Sequence, residues 1–151
     1  MILVRKPHLK SFMAILLIWV LFGISVNESR CQEPVFIGSP DIFESTLTKN
    51  DIKDIFMGKK KKWAGGKAIT LTVNDQADLQ KNFTKAYLRK TPAQFINFWK
   101  YQIFVGNGNL PKFFTDENQL IDYIEKSEGA IGYISTEPSK EKNLRRFTVS
   151  D

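Results

Sequence analysis

Ile69-Thr70-Leu71-Thr72-Val73 alternates apolar and β-branched residues. After Asn74-Asp75-Gln76, Leu79, Phe83, Ala86 and Tyr87 then recur at i, i+4, i+7 and i+8. A period of two giving way to one of 3.6 predicts a strand that feeds a helix. The exchange runs in reverse further on. Leu120, Ile121 and Ile124 are spaced as one helical face, Gly129 follows, and Ala130-Ile131-Gly132-Tyr133-Ile134 is strand-like. Strands separated by helices predict an α/β fold, with a mostly parallel sheet flanked by helices.

Working outward, Pro34-Val35-Phe36-Ile37 is an apolar run closed by Gly38-Ser39-Pro40, a strand ending in a turn. Thr48 followed three residues later by Asp51 is a capping-box variant. It opens a helix whose inner positions are Ile52, Ile55 and Phe56, with Gly58 as the stop. Thr91-Pro92 is an N-cap followed by proline at the first helical position, and Phe95, Phe98, Trp99 and Ile103 form the inward stripe of that helix. Gly106-Asn107-Gly108-Asn109 and Pro111 break the chain, and Asp116 and Glu117 open a fourth helix. Asp116, Glu117, Asp122 and Glu125 are read as surface charge. The predicted order is β-α-β-α-α-loop-α-β over residues 33–136. Residues 137–151 read as a charged tail, in which Phe147 and Val149 would supply an edge strand.

The first 25 residues have another character. Arg5, Lys6 and Lys10 precede an apolar run from Phe12 to Val26, interrupted only by Gly23 and Ser25. That run is shorter than the ~20 residues needed to cross a bilayer and matches an export signal, with Gly23 and Ser25 at −3 and −1 of a cut after Ser25. The expected location is the periplasm; the alternative is an uncleaved helix anchoring the domain to the inner membrane. The charged Glu28-Ser29-Arg30 before Cys31 does not suit a lipidation site. Removing the segment lowers the net charge from +6 to +3, because basic side chains fall from 22 to 19 against 16 acidic ones. A charge so small gives no reason to expect nucleic acid. His8 is the only histidine and Cys31 the only cysteine, so the domain lacks the parts for Ser/His or Cys/His nucleophilic catalysis and for the usual transition-metal sites. No catalytic residue, metal ligand or cofactor is expected.

Two stretches carry a family resemblance. Leu47-Thr48-Lys49-Asn50-Asp51-Ile52-Lys53-Asp54-Ile55-Phe56-Met57-Gly58-Lys59, followed by Trp63, resembles a segment of the phosphate ABC-transporter substrate-binding proteins. Gly129-Ala130-Ile131-Gly132-Tyr133-Ile134 resembles their Gly-Ala-Ile-Gly-Tyr strand. Between them, Thr91-Pro92-Ala93-Gln94-Phe95, Trp99 and Phe104-Val105-Gly106-Asn107-Gly108 are similar to short members of that group. The resemblance implies the type 2 periplasmic-binding-protein architecture, in about one lobe.

It also implies where a ligand would sit. In an open α/β sheet that place is outside the carboxyl ends of the strands, here Ser39 after the first strand, Asn74, Asp75 and Gln76 after the second, and Ser135-Thr136 after the last. In the family the turn after the second strand carries an arginine and an Asp-Gly-Ser-Gly-Thr-like run that holds phosphate. Val73-Asn74-Asp75-Gln76-Ala77-Asp78 has neither. A carboxylate 4 Å from a phosphate oxygen costs about 4 kcal/mol at an effective dielectric near 20, as much as a millimolar ligand gains in total. The expectation is an altered or degenerate phosphate site, with Ser39, Asn74, Asp75 and Gln76 as candidate ligand-binding residues. Expected partners are a small anion or other solute, an ABC permease or another envelope protein, and a second copy of the chain as a homodimer. A membrane would be reached only through an uncleaved N-terminus. The alternative to solute binding is an envelope interaction or sensor module with no small ligand. The lysine run 59–62 beside Trp63 is read as a solvated loop whose indole packs on the core.

Overall fold

The computed structural model describes residues 33–108 and 110–151; the expected export signal and Cys31 lie outside the described residues. Strands β1 (Val35–Gly38), β3 (Thr70–Asn74), β4 (Lys112–Phe114), β5 (Ala130–Ile134) and β6 (Arg145–Arg146) form one sheet in the order β4-β3-β5-β1-β6. β3 pairs in parallel with β4 and β5, whereas β1 runs antiparallel to both β5 and β6. Four of the five strands therefore point one way and β1 alone opposes them. A separate parallel pair joins β2 (Thr46–Thr48) to β7 (Thr148–Ser150). The helices are α1 (Lys49–Phe56), α2 (Ala77–Phe83), α3 (Pro92–Phe104) and α4 (Glu117–Lys126). None of the described helices is long and apolar enough to cross a membrane.

Side chains that alternate along β5 divide the core into two layers. Ile131 and Tyr133 join Phe36 of β1 and Val73 of β3 beneath α1, α2 and α3, while Ala130 and Ile134 join Ile37 beneath α4. Every residue of β5 is buried, as expected for a strand covered on both faces. The larger layer is aromatic. Tyr133 stacks on Phe83 at 4.0 Å between ring centroids, and Phe83 meets Phe56 edge-on at 4.7 Å. Gly132 faces the α4 layer, where a Cβ would lie 2.2 Å from Thr72 Oγ1 and 2.9 Å from Ile124 Cδ1. The strand thus admits no side chain at that step.

The helix starts follow local chemistry. Asp51 N–H donates to Thr48 Oγ1 at 3.0 Å and Thr48 N–H returns to Asp51 Oδ2 at 3.1 Å, a reciprocal cap. Thr91 and Gln94 make the same pair of bonds ahead of α3, with Pro92 at its first turn.

Three expectations change. α2 passes into a π-helical turn, Thr84–Leu88, ended by Arg89 in the left-handed region at φ 53°. Thr84 Oγ1 donates to Gln80 O, i−4, at 2.9 Å, so the hydroxyl competes for a carbonyl of the ladder. The wider turn rotates the face, burying Thr84 and Leu88 and leaving Ala86 exposed. Ile103 is also exposed, whereas Phe95 and Trp99 of the same helix are buried. The segment 137–151 is not wholly a tail, for its edge-strand possibility is realised in β6 and β7. Phe147 lies buried, stacked on Trp63 with ring centroids 5.6 Å apart. Trp63 packs on the core as expected, its Nε1–H donating to Gly129 O at 3.0 Å.

Asp51 accepts from Lys60 Nζ at 2.9 Å as well as from Thr48. The Lys60 bond and then the Thr48 bonds lower its pKa to about 2 from an ordinary 3.8. A carboxyl depressed in the folded state contributes stability above its unfolded pKa and loses it as pH falls through the folded value. Denaturant titrations from pH 5 to pH 2 are expected to show stability falling mainly below about pH 4. Asp51→Asn should lower stability at pH 5 and flatten that acid limb.

Candidate functional site at the carboxyl edge of the sheet

β3 and β5 end side by side, and their last residues and the start of α4 make one polar cluster. Asn74 closes β3 with its side chain fully buried. Its Oδ1 accepts the backbone N–H of Gln76 at 3.1 Å, and its carbonyl accepts the Tyr133 hydroxyl at 3.0 Å. Burial pushes the Tyr133 phenol well above its usual range, so this hydroxyl stays a donor. Asn74 Nδ2 donates to Glu117 Oε2 at 3.0 Å. The same carboxylate accepts Ser135 N–H on Oε2 at 2.9 Å and Ser135 Oγ–H on Oε1 at 3.0 Å. One half-buried carboxylate thus receives three hydrogen bonds from the ends of two neighbouring strands.

Glu117 stands there because Asp116 starts α4 immediately before it, Asp116 Oδ1 accepting Gln119 N–H at 3.0 Å. A first-turn carboxylate is also favoured by the helix's positive end. Glu117 is therefore a structural acid rather than the surface charge expected of it. Its nearest sequence signal is an acid at the first turn of a helix that leads into a buried strand.

Asn74, Asp75 and Gln76 are contiguous at this edge. Asp75 N–H donates to Phe114 O at 2.8 Å, and its exposed carboxylate accepts Gln80 Nε2–H at 3.0 Å. Gln76 is the N-cap of α2 without a side-chain cap bond, so Asp75 does not fill the capping place, and Asp78 lies in the first turn. Ser39 is elsewhere. Because β1 is antiparallel, Gly38 pairs with Ile131, and Ser39 bonds the far end of β5: its N–H donates to Ala130 O at 2.9 Å and its Oγ accepts Ala130 N–H at 3.1 Å. Four residues of strand, roughly 13 Å, separate it from the other three. Ser39 is a buried brace for β5 and does not join them.

The edge carries Asp75, Asp78, Asp116 and Glu117, and among the described residues none of the four is in an ion pair. Its donors already hold an anion, the chain's own.

No protein-family model and no curated protein matches the sequence. Solved structures do. PstS from Borrelia burgdorferi matches at 17% identity and TM-score 0.53, over 78% of this chain and 47% of that one. A protein from Planctomyces limnophilus DSM 3776, assigned as phosphate-binding, matches at 17% identity and TM-score 0.58, over 79% and 42%. A third, from Clostridium perfringens, is assigned as a phosphate ABC transporter substrate-binding protein and was solved with bound phosphate. It matches at 18% identity and TM-score 0.53, over 78% and 44%. The fold is that of the periplasmic binding proteins, over about one lobe. The chain spans less than half the length of each of these proteins. At such identities the likeness is one of fold, and the lobe here presents its carboxyl edge with the acidic groups described above.

Glu117→Gln keeps the shape but sets an amide N–H₂ against donors. Hydrogen bonds to a charged group contribute about 1.5–3 kcal/mol, and urea unfolding of the variant is expected to show a loss of about that size. An unchanged midpoint would mean that the three bonds do not form in solution.

Proposed function

We propose that this chain is an exported solute-binding-type protein, built on a phosphate-binding-protein lobe whose anion site has been altered. One observation carries the reading: the donors at the carboxyl edge, Asn74 Nδ2 and the Ser135 N–H and Oγ–H, all point at Glu117. Three further carboxylates, those of Asp75, Asp78 and Asp116, stand at the same edge. An added phosphate would have to displace one carboxylate and approach the others. Asp75 and Gln76, both exposed, are the side chains that would meet a neutral or cationic solute, with Asn74 holding their turn. The chain acts without chemistry of its own, and an ABC permease or another envelope protein is the partner that the likeness to transporter proteins suggests.

A second reading, an envelope interaction module, is favoured by one feature. Five of the six large apolar side chains exposed among the described residues, Tyr101, Ile103, Phe104, Val105 and Leu110, fall within ten positions. Large exposed apolar patches mark contact surfaces.

Calorimetric titration of the purified protein separates these readings. Phosphate is expected to give no saturable heat up to about 1 mM, the affinity that a single repelling carboxylate offsets. Cationic or zwitterionic solutes should bind and should be weakened by Asp75→Asn. Tight phosphate binding would overturn the altered-site reading, and flat traces with every solute would leave the interaction module.

A further inference from the structure

A well-formed hollow opens towards the opposite end of β3 from Asn74. It has a volume of about 700 Å³, within the ~300–1,000 Å³ range of small-molecule sites. Its floor is Ile69 with Leu71 of β3 and Phe113 of β4, and its wall is the Trp99 indole of α3. Trp99 is fixed in place, its Nε1–H donating to Phe56 O at 3.1 Å. The hollow shares no residue with the Asn74–Glu117–Ser135 cluster.

Charge around the hollow has one sign. Lys60, Lys61 and Lys112 line it, and among the described residues no aspartate or glutamate does. Lys60 is neutralised by Asp51 at 2.9 Å. Lys61 Nζ reaches only a backbone carbonyl, that of Asn107, at 3.2 Å, and Lys112 Nζ lies 4.1 Å from the centre of the Tyr123 ring. Among the described residues neither of these two has a carboxylate partner. An ammonium with no counter-ion beside an apolar wall offers two complementary contacts to one molecule, a charge-assisted hydrogen bond and burial of hydrocarbon. A second copy of the chain suits the place poorly, because a two-fold contact here would set the same lysines against each other.

We propose that this hollow is a binding site for an amphipathic anion, whose apolar body lies against Trp99, Leu71 and Phe113 and whose carboxylate or phosphate head is held by Lys61 and Lys112. A free alkyl or aryl acid and an anionic lipid share that chemistry.

Decyl phosphate, kept below its aggregation concentration, is the probe, with calorimetry and indole emission as readouts. Saturable binding with a shift in tryptophan emission is expected. Decanol, which lacks the head, and inorganic phosphate, which lacks the body, should each bind about tenfold or more weakly. Lys61 and Lys112 are exposed, so a Lys61→Gln, Lys112→Gln double variant should melt like the parent yet bind decyl phosphate about tenfold or more weakly. Co-sedimentation with phosphatidylglycerol vesicles distinguishes the sources: capture that depends on the two lysines assigns the anion to a lipid, and binding of the monomer without capture assigns it to a free amphiphile. No saturable binding of decyl phosphate, equal binding of decanol, or undiminished binding by the double variant would overturn the proposal. Repeating the inorganic phosphate titration on the Lys61→Gln, Lys112→Gln variant removes any heat from the hollow, so failure of one reading leaves the other standing.

Discussion

The Glu117 carboxylate binds the ends of β3 and β5 together, and the character of the carboxyl edge depends on it. Those two strands pair directly only at Thr70–Ala130 and Leu71–Ile131. Towards their ends the link passes through side chains: Asn74 Nδ2 and the two donors of Ser135 onto Glu117, and the Tyr133 hydroxyl onto Asn74 O. A half-buried carboxylate with three donors is satisfied, whereas removing it would leave the buried Asn74 amide without its acceptor, an expensive state in a low-dielectric surrounding. The edge is thus built to hold a negative group, and the chain supplies it.

The fold itself rests elsewhere than on that edge. The fold is fixed by β5, buried along its whole length, and by the aromatic layer of Phe36, Phe56, Phe83 and Tyr133 above it. Neither depends on what lies beyond the strand ends. A fold can therefore persist while its site changes. The hollow by Trp99 shares no lining residue with the cluster of Asn74, Glu117 and Ser135.

Much of the fold is legible in the chain because the decisive signals are local. Thr48 with Asp51, and Thr91 with Pro92, place two helix starts within a few residues of sequence, and the period of two in 69–73 places β3. Elements that depend on distant partners are not legible. β2 and β4 have three residues each, too few to show a period, and exist only because β7 and β3 lie beside them. The apolar run of β1 carries no mark of direction, so its antiparallel course, which takes Ser39 to the far edge, emerges only from pairing with β5. The π-helical turn is hidden likewise, since one hydroxyl at Thr84 redirects a face that ordinary helical spacing would give to Ala86. At the site, Asn74, Asp75 and Gln76 follow from the end of a recognisable strand. Glu117 does not, because its partners are 43 and 18 residues away.

Crystals of the protein grown in concentrated inorganic phosphate address the edge most directly. Electron density is expected for Glu117 within hydrogen-bond distance of Asn74 Nδ2 and Ser135, with no phosphate between the ends of β3 and β5. A phosphate ion held by Asn74 and Ser135, with the Glu117 side chain turned out to solvent, would contradict it.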